Sequence, residues 1–197
     1  MEISAKVVKE LRDKTNVGFM ECKKALKEAK GDIKEAVKIL RKKGIAKAYE
    51  KSKRDAKDGI IYSYIHPGAK IGVLLELNCE TDFVARTDGF IGLAKKISMQ
   101  IAAANPIAIS SDNIDQKIID DEKEIFREQA LNQKKPEKII DKIVEGRMKK
   151  FYKENCLLEQ PFIMDENITV QQLISDAVLE FGEKVSIGRF SRYQIGK

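Results

Sequence analysis

The sequence predicts an α+β fold: a small N-terminal three-helix bundle followed by a core with an antiparallel sheet and packed helices. Three patterns lead to this fold class. Residues 1–45 repeat apolar residues at helical spacing, residues 59–79 alternate as a hairpin does, and helical spacing returns after residue 88 before one closing strand. We therefore expect a bundle at 1–45, a charged linker at 46–58 and an α+β core at 59–197.

The three helices of the bundle are predicted from their ends. Ser4 can cap the first helix, and Asn16-Val17-Gly18 separates it from the second. Asp32 followed by Glu35 forms a capping-box pattern at the start of the third. This helix is predicted to end at Lys42-Lys43-Gly44, with cations in the last turn and glycine just past it. The apolar residues at helical spacing are Val7, Val8, Leu11, Phe19, Cys22, Leu26, Ala29, Ile33, Ala36, Val37 and Leu40.

Residues 46–58 are charged and short of large apolar groups, which is typical of a linker or a frayed helix. The core then begins with a hairpin whose turn is Pro67-Gly68. One face of its second strand is strongly apolar. Further elements are expected as follows: a polar interruption at 80–88, helices at 90–105, Ile118–Leu131 and Pro136–Tyr152, a helix after Thr169, and a strand at Val185–Ile195.

Composition limits the class of protein. The chain has 197 residues, 43% of them hydrophobic, which is too much apolar material for a disordered chain. No apolar run approaches the roughly 18–20 residues of a membrane helix, and early charged residues interrupt any signal-peptide pattern. We therefore expect a cytoplasmic protein without a membrane partner. Its three widely spaced cysteines are expected to be reduced and mostly buried.

Charge is unevenly distributed along the chain. Residues 1–57 carry 18 Lys/Arg against 9 Asp/Glu, whereas residues 58–197 carry 19 against 22. A basic N-terminal segment followed by a mildly acidic remainder indicates an acidic partner, which can be nucleic acid or an acidic protein surface. A nucleic-acid-binding protein acting through residues 1–57 is therefore an alternative. Against it, this segment has only Phe19 and Tyr49 for stacking and contains no RNA- or DNA-binding motif.

Patterns for covalent chemistry, metals and cofactors are scarce. The chain contains no Walker A loop, no G-x-G-x-x-G and no G-x-S-x-G. His66 is the only histidine and stands beside Pro67, which favours a turn residue over a catalytic base. The sequence therefore predicts no enzyme active site, no metal site and no cofactor.

The segment 77–86 is the most informative part of the chain. A predicted strand runs into a polar loop that offers Phe83 and Val84, flanked by Asp82 and Arg86. Phe83 is either a core residue that holds the loop down or an exposed aromatic anchor for a partner's pocket. The residue pattern alone favours the core.

The loop Asn78-Cys79-Glu80-Thr81-Asp82-Phe83-Val84-Ala85-Arg86 resembles the signature loop of the elongation factor Ts family. Residues 11–44 are similar to that family's three-helix, ubiquitin-associated-like domain, and 149–161 and 188–193 match its C-terminal part. Asn16-Val17-Gly18-Phe19-Met20 departs from the family's usual Thr-Gly-Ala-Gly-Met-like turn. The chain also lacks the coiled-coil insertion and duplicated core half of longer members. It resembles shorter members, which pair as dimers through the core.

The resemblance implies guanine-nucleotide exchange on elongation factor Tu, in which GDP is released so that GTP can bind. It implies that Phe83 is a wedge that disturbs the partner's Mg²⁺ and phosphate site, assisted by Asp82, with Thr81 and Val84 fixing the loop's angle. The N-terminal bundle would dock on the same GTPase domain. Its implied contacts are Phe19, Met20 and Lys23, and Met20 is as much a candidate for the core as for the interface. No direct nucleic-acid contact is expected.

Overall fold

The computed structural model describes residues 3–15, 17–51, 54–133 and 136–196, without the side chains of residues 45–50. The α+β fold class is confirmed: the described residues contain helices, an antiparallel hairpin and a three-stranded sheet. The chain divides into two compact units. The first unit comprises Met1–Tyr62, Leu74–Lys96 and Gln172–Phe190, and the second comprises Ser63–Val73, Ile97–Gln171 and Ser191–Lys197. The predicted domain boundaries stay a prediction.

The N-terminal bundle has the three predicted helices, α1 (Ala5–Thr15), α2 (Phe19–Glu28) and α3 (Ile33–Lys51). Both predicted caps are present. The amide of Val7 donates to the Ser4 hydroxyl at 3.5 Å, and the amide of Glu35 donates to the Asp32 carboxylate at 3.0 Å. Of the predicted break between α1 and α2, Asn16 lies outside the described residues. The shared core of the bundle consists of Val8, Leu11, Val17, Cys22, Ala25, Leu26, Ala29, Ala36 and Leu40.

The predicted end of the third helix is wrong, because α3 continues through Gly44 to Lys51. Gly44 is buried, and a Cβ atom there would lie 2.8 Å from Leu179 Cδ1 and 3.3 Å from the Ser175 carbonyl oxygen. Both contact residues belong to α8 (Val170–Phe181). The glycine therefore allows a close approach between helices instead of terminating one. Of the predicted linker 46–58, the part up to Lys51 is helical, and residues 52–53 lie outside the described residues.

A three-stranded sheet follows, in the order β1 (Asp58–Ile65), β2 (Ile71–Cys79) and β5 (Ser186–Gln194). The predicted hairpin joins β1 to β2. His66 donates its amide to the Ile71 carbonyl at 2.9 Å, and Gly68 has the positive φ of 89° that its turn requires. The inward-facing side chains of β2 are fully or almost fully buried, as the alternation predicts: Val73, Leu75, Leu77 and Cys79.

The remaining helices are α4 (Asp82–Ala85), α5 (Asp88–Ala104), α6 (Gln116–Asn132) and α7 (Glu137–Asn155). The helices α6 and α7 pack on each other, around a core that includes Ala130, Ile140 and Met148. Besides the short 3-10 turns at Ser111–Asn113 and Leu157–Glu159, two elements of the described chain were not predicted from the sequence. One is the single turn α4, inside the expected polar interruption. The other is a small antiparallel hairpin of β3 (Pro161–Phe162) and β4 (Asp165–Thr169).

Candidate functional site

The segment singled out by the sequence forms a capped, hydrogen-bonded turn directly after β2. Thr81 is the N-cap of α4, and its hydroxyl accepts a hydrogen bond from the amide of Val84 at 3.5 Å. Asp82 in the first turn forms an ion pair with Arg86 at 2.9 Å. Thr87 then donates its hydroxyl to the Val84 carbonyl at 2.8 Å. Local hydrogen bonds therefore define the backbone that carries residues 82–84.

Phe83 projects from this turn into solvent. Its side chain is 81% exposed, more than any other large apolar residue in the described part of the chain. Assigning Phe83 to the core is therefore wrong. A helix of four residues has no face long enough to be buried, and Ala85 is the α4 residue that turns inward. An exposed aromatic ring on an ordered turn is the kind of group that can fill a pocket on a partner.

Two carboxylates tie the turn to the segment that follows α8. Glu183 accepts from the amides of Glu80 and Thr81 at 3.1 and 3.0 Å, and from the Thr81 hydroxyl at 2.6 Å. Glu80 in turn accepts from the amide of Lys184 at 2.6 Å and forms an ion pair with Arg54 at 3.3 Å. The amide of Lys184 and the charge of Arg54 lower the pKa of Glu80, so its carboxylate is ionised at neutral pH. Sequence reasoning missed Glu183, because no local pattern connects it to a loop one hundred residues away.

Cys79 lies buried beneath the same turn. Its thiol donates to the Thr81 carbonyl at 3.1 Å. Burial, and then the negative charge of Glu183, raise the pKa of Cys79 to about 11. The thiol is therefore neutral and serves as a packed donor, in line with the prediction that the cysteines are reduced and buried.

The N-terminal candidates lie in the first half of α2. Phe19 is 39% exposed and Met20 is 61% exposed, while Lys23 is half-buried. Placing Met20 in the core is therefore wrong. Phe19 lies at the margin of the face that buries Cys22 and Leu26. The pair offers exposed apolar area at the start of α2, and its partner-binding role stays a prediction.

Other kinds of site have little support in the part of the chain that the structure describes. His66 is exposed in the β1–β2 turn, where it pairs with the Tyr64 hydroxyl at 3.0 Å. No three described His, Cys, Asp or Glu residues are grouped so that they could hold a metal ion. Nor does any described helix have the length and apolar character needed to cross a membrane.

Comparison with known proteins covers the whole chain. The family model described as "Elongation factor TS" matches residues 2–197. The elongation factor Ts of Desulforamulus reducens is 56% identical over 196 residues, covering 100% of this chain and 90% of that protein. That of Fervidobacterium nodosum is 53% identical over 197 residues, covering both chains completely. The Thermosipho melanesiensis protein is 52% identical and covers 99% of this chain. The chain therefore belongs to the elongation factor Ts family of translation elongation factors.

Proposed function

We propose that this protein is a guanine-nucleotide exchange factor, which binds elongation factor Tu carrying GDP and promotes release of the GDP so that GTP can bind. The observation that carries the proposal is the 81% exposure of Phe83 on a capped and hydrogen-bonded turn. No covalent bond is made or broken in such a reaction, so the protein acts without catalytic residues or a cofactor. Its place of action is the cytoplasm, where translation proceeds.

Exchange requires differential binding. A factor that binds the nucleotide-free partner more tightly than the GDP-bound partner weakens GDP binding by the same factor. Phe83 supplies such a difference if its ring enters a pocket that opens only when the partner's Mg²⁺ and phosphate site is disturbed. Complete burial of a phenylalanine side chain contributes roughly 1.5–3 kcal/mol. Because Phe83 is largely exposed in the free protein, most of this burial free energy can be gained when its ring enters the partner.

The residues around Phe83 have supporting roles. Thr81 caps the turn and so fixes the angle of the ring. Asp82 places a carboxylate beside the wedge, where it can repel phosphate oxygens or accept hydrogen bonds. Val84 adds apolar area and donates the amide that Thr81 caps. We assign these four residues to the surface that contacts the GTPase domain.

The N-terminal bundle provides a second contact on the same partner. Phe19 and Met20 offer exposed apolar side chains, and a thioether adapts well to an irregular surface. Lys23 and its basic neighbours attract an acidic surface during encounter. This contact increases affinity, whereas Phe83 acts on the nucleotide site.

We further propose that the chain forms a homodimer through the exposed sheet face of the second unit. Ile65, Tyr193 and Ile195 are 64–73% exposed there. The Ile195 amide donates to the Lys70 carbonyl at 3.0 Å, which places Ile195 at the turn that follows Ile65. Light scattering after gel filtration should show a dimer that Tyr193→Asp weakens and Met164→Asp, another exposed site, does not. A wild-type monomer at all working concentrations would exclude the dimer.

The exchange activity is tested by release of a fluorescent GDP analogue from elongation factor Tu. Wild-type protein should accelerate release, and Phe83→Ala should lower the rate at limiting factor by about tenfold to a hundredfold. Ile125→Ala is the matched control, because Ile125 is an exposed apolar residue on α6. A folded wild-type chain without effect would reject the proposal, and tight RNA binding in a gel shift would then support the nucleic-acid alternative. If Phe83→Ala releases GDP as fast as wild type, the protein is still an exchange factor, but Phe83 has no part in its activity.

A further inference from the structure

We propose that Glu183 is a positioning residue for nucleotide exchange: its carboxylate holds residues 80–81 so that α4 presents Phe83 in one orientation. This inference rests on the proposed function, since it assigns a role in the same site. Glu183 is not expected to touch the partner's nucleotide, and it acts through the turn that carries the wedge.

The geometry of Glu183 supports this role. One carboxylate accepts three hydrogen bonds, at 2.6–3.1 Å, from two consecutive residues. Amides at the start of a helix lack intrahelical acceptors, and a carboxylate is a strong acceptor for them. Since all three donors belong to Glu80 and Thr81, the carboxylate fixes the backbone immediately before α4, the turn that carries the ring.

The carboxylate is itself held in place. Gly182, at the end of α8, has a φ of 71° and donates its amide to the Val178 carbonyl at 3.1 Å. A residue with a side chain rarely adopts this φ, so the glycine sets the direction in which the chain leaves the helix. Glu183 follows at once and therefore projects from a defined helix end.

The connection also runs in the opposite direction. Glu80 accepts the amide of Lys184 at 2.6 Å, and the Lys184 ammonium donates to the Arg54 carbonyl at 2.7 Å. The side chain of Arg54 in turn forms an ion pair with Glu80, so the three residues are linked to one another. The segments 80–81 and 183–184 thus exchange hydrogen bonds both ways. Hydrogen bonds in both directions restrict the rotation of the two segments relative to each other as well as their separation.

Without Glu183, the amides of Glu80 and Thr81 lose their acceptor, and apart from the bond between Glu80 and Lys184 the turn depends on weaker local contacts. The Thr81 cap on Val84 is long at 3.5 Å, and the ion pair between Asp82 and Arg86 is exposed. Phe83 has few packing contacts that could hold it, because its side chain is largely in solvent. A ring that samples several orientations loses affinity, since binding must first select the productive one.

The experiment compares Glu183→Ala and Glu183→Gln with wild type in two measurements. Hydrogen exchange of the free protein reports protection of the Glu80 and Thr81 amides, which should be lost in Glu183→Ala. GDP release at limiting factor should fall about tenfold or more, in line with the loss of hydrogen bonds to a charged acceptor. Glu183→Gln retains one acceptor oxygen and should lie between the two. Glu180→Gln, near the end of the preceding helix α8, is the matched control and should leave both measurements unchanged.

A double-variant cycle separates positioning from general destabilisation. If Glu183 acts through the wedge, adding Glu183→Ala to Phe83→Ala should lower exchange by less than about twofold further. A further loss as large as in the wild-type background would overturn the proposal, and so would unchanged amide protection in Glu183→Ala. If Glu183→Ala does not fold, Glu183→Gln provides the same comparison. A wild-type chain without exchange activity would reject the proposed function, and amide protection would still decide whether Glu183 fixes the turn.

Discussion

Leu77 and Phe83 are large apolar residues six positions apart, yet their environments are opposite. Leu77 is completely buried on the inward face of β2, whereas Phe83 is 81% exposed. The alternation of a strand assigns Leu77 to the core, because neighbouring inward positions are apolar as well. No comparable periodicity surrounds Phe83, since α4 has only four residues. The chemistry of a single side chain therefore does not decide its burial.

At the residue scale, we expect the Cys79 thiol to be unreactive in the folded protein. Burial and the nearby Glu183 charge raise the pKa of Cys79 to about 11, and burial raises that of Cys156 to about 11 as well. At pH 8 about one such thiol in a thousand is ionised, and the thiolate is the reactive form. A colorimetric thiol assay should detect all three cysteines only in denaturant. Rapid labelling of Cys79 in the native chain would contradict its burial.

A second prediction at this scale concerns Asp176, a partly buried carboxyl on α8. Burial raises its pKa, while a hydrogen bond from Gln172 and the charge of Arg41 lower it. The folded state therefore retains the proton to a higher pH than the unfolded state, and ionisation at neutral pH opposes folding. Asp176→Asn should have a higher melting temperature than wild type at pH 7, with a difference that shrinks towards pH 4. A more stable wild type at pH 7 would mean that attraction to Arg41 exceeds the cost of burial.

At the element scale, two helical glycines are expected to respond differently to alanine. Gly146 in α7 is exposed, and a Cβ atom there meets nothing within 4 Å. Gly146→Ala should therefore raise the free energy of unfolding by about 0.5–1 kcal/mol. Gly44→Ala should gain nothing or lose stability, because its Cβ would lie 2.8 Å from Leu179. Urea unfolding measures both variants, with the midpoint compared at unchanged slope.

The contact between Gly44 and Leu179 supplies the control for this comparison. Leu179→Ala removes the atoms that the new methyl group would meet. In that background, Gly44→Ala should be less costly than in wild type, or even stabilising. If Gly44→Ala changes the free energy of unfolding equally in both backgrounds, the close packing of α3 on α8 is not the reason that this position requires glycine.

At the scale of the whole molecule, the uneven charge should govern encounter with the partner. The first 57 residues hold 18 basic and 9 acidic side chains, whereas the rest is slightly acidic. The rate of nucleotide release at limiting factor should fall as salt is added, while the rate at saturating factor changes less. Lys27→Glu should reduce the rate at limiting factor more than Lys123→Glu, although both change the net charge by two. Equal effects would mean that only the total charge matters.

Much of the fold was predictable because its signals are local. Ser4 and Asp32 cap helices through residues three positions away, and the inward positions of β2 alternate over a single strand. The same local patterns identified the segment 77–86 as distinctive. The basic charge of residues 1–57 follows from residue counts, and the family indicated by the resemblance of loop 78–86 is confirmed by the family model over residues 2–197.

Only the tertiary structure decided three further features. Gly44 lies inside a helix where α8 packs against it, Phe83 is exposed because the short turn α4 buries Ala85 instead, and Glu183 reaches residues 80–81 across about one hundred positions. Sequence periodicity records interactions between residues a few positions apart. Contacts between distant segments depend on how the elements pack, and the residues that form them show no characteristic spacing in the sequence.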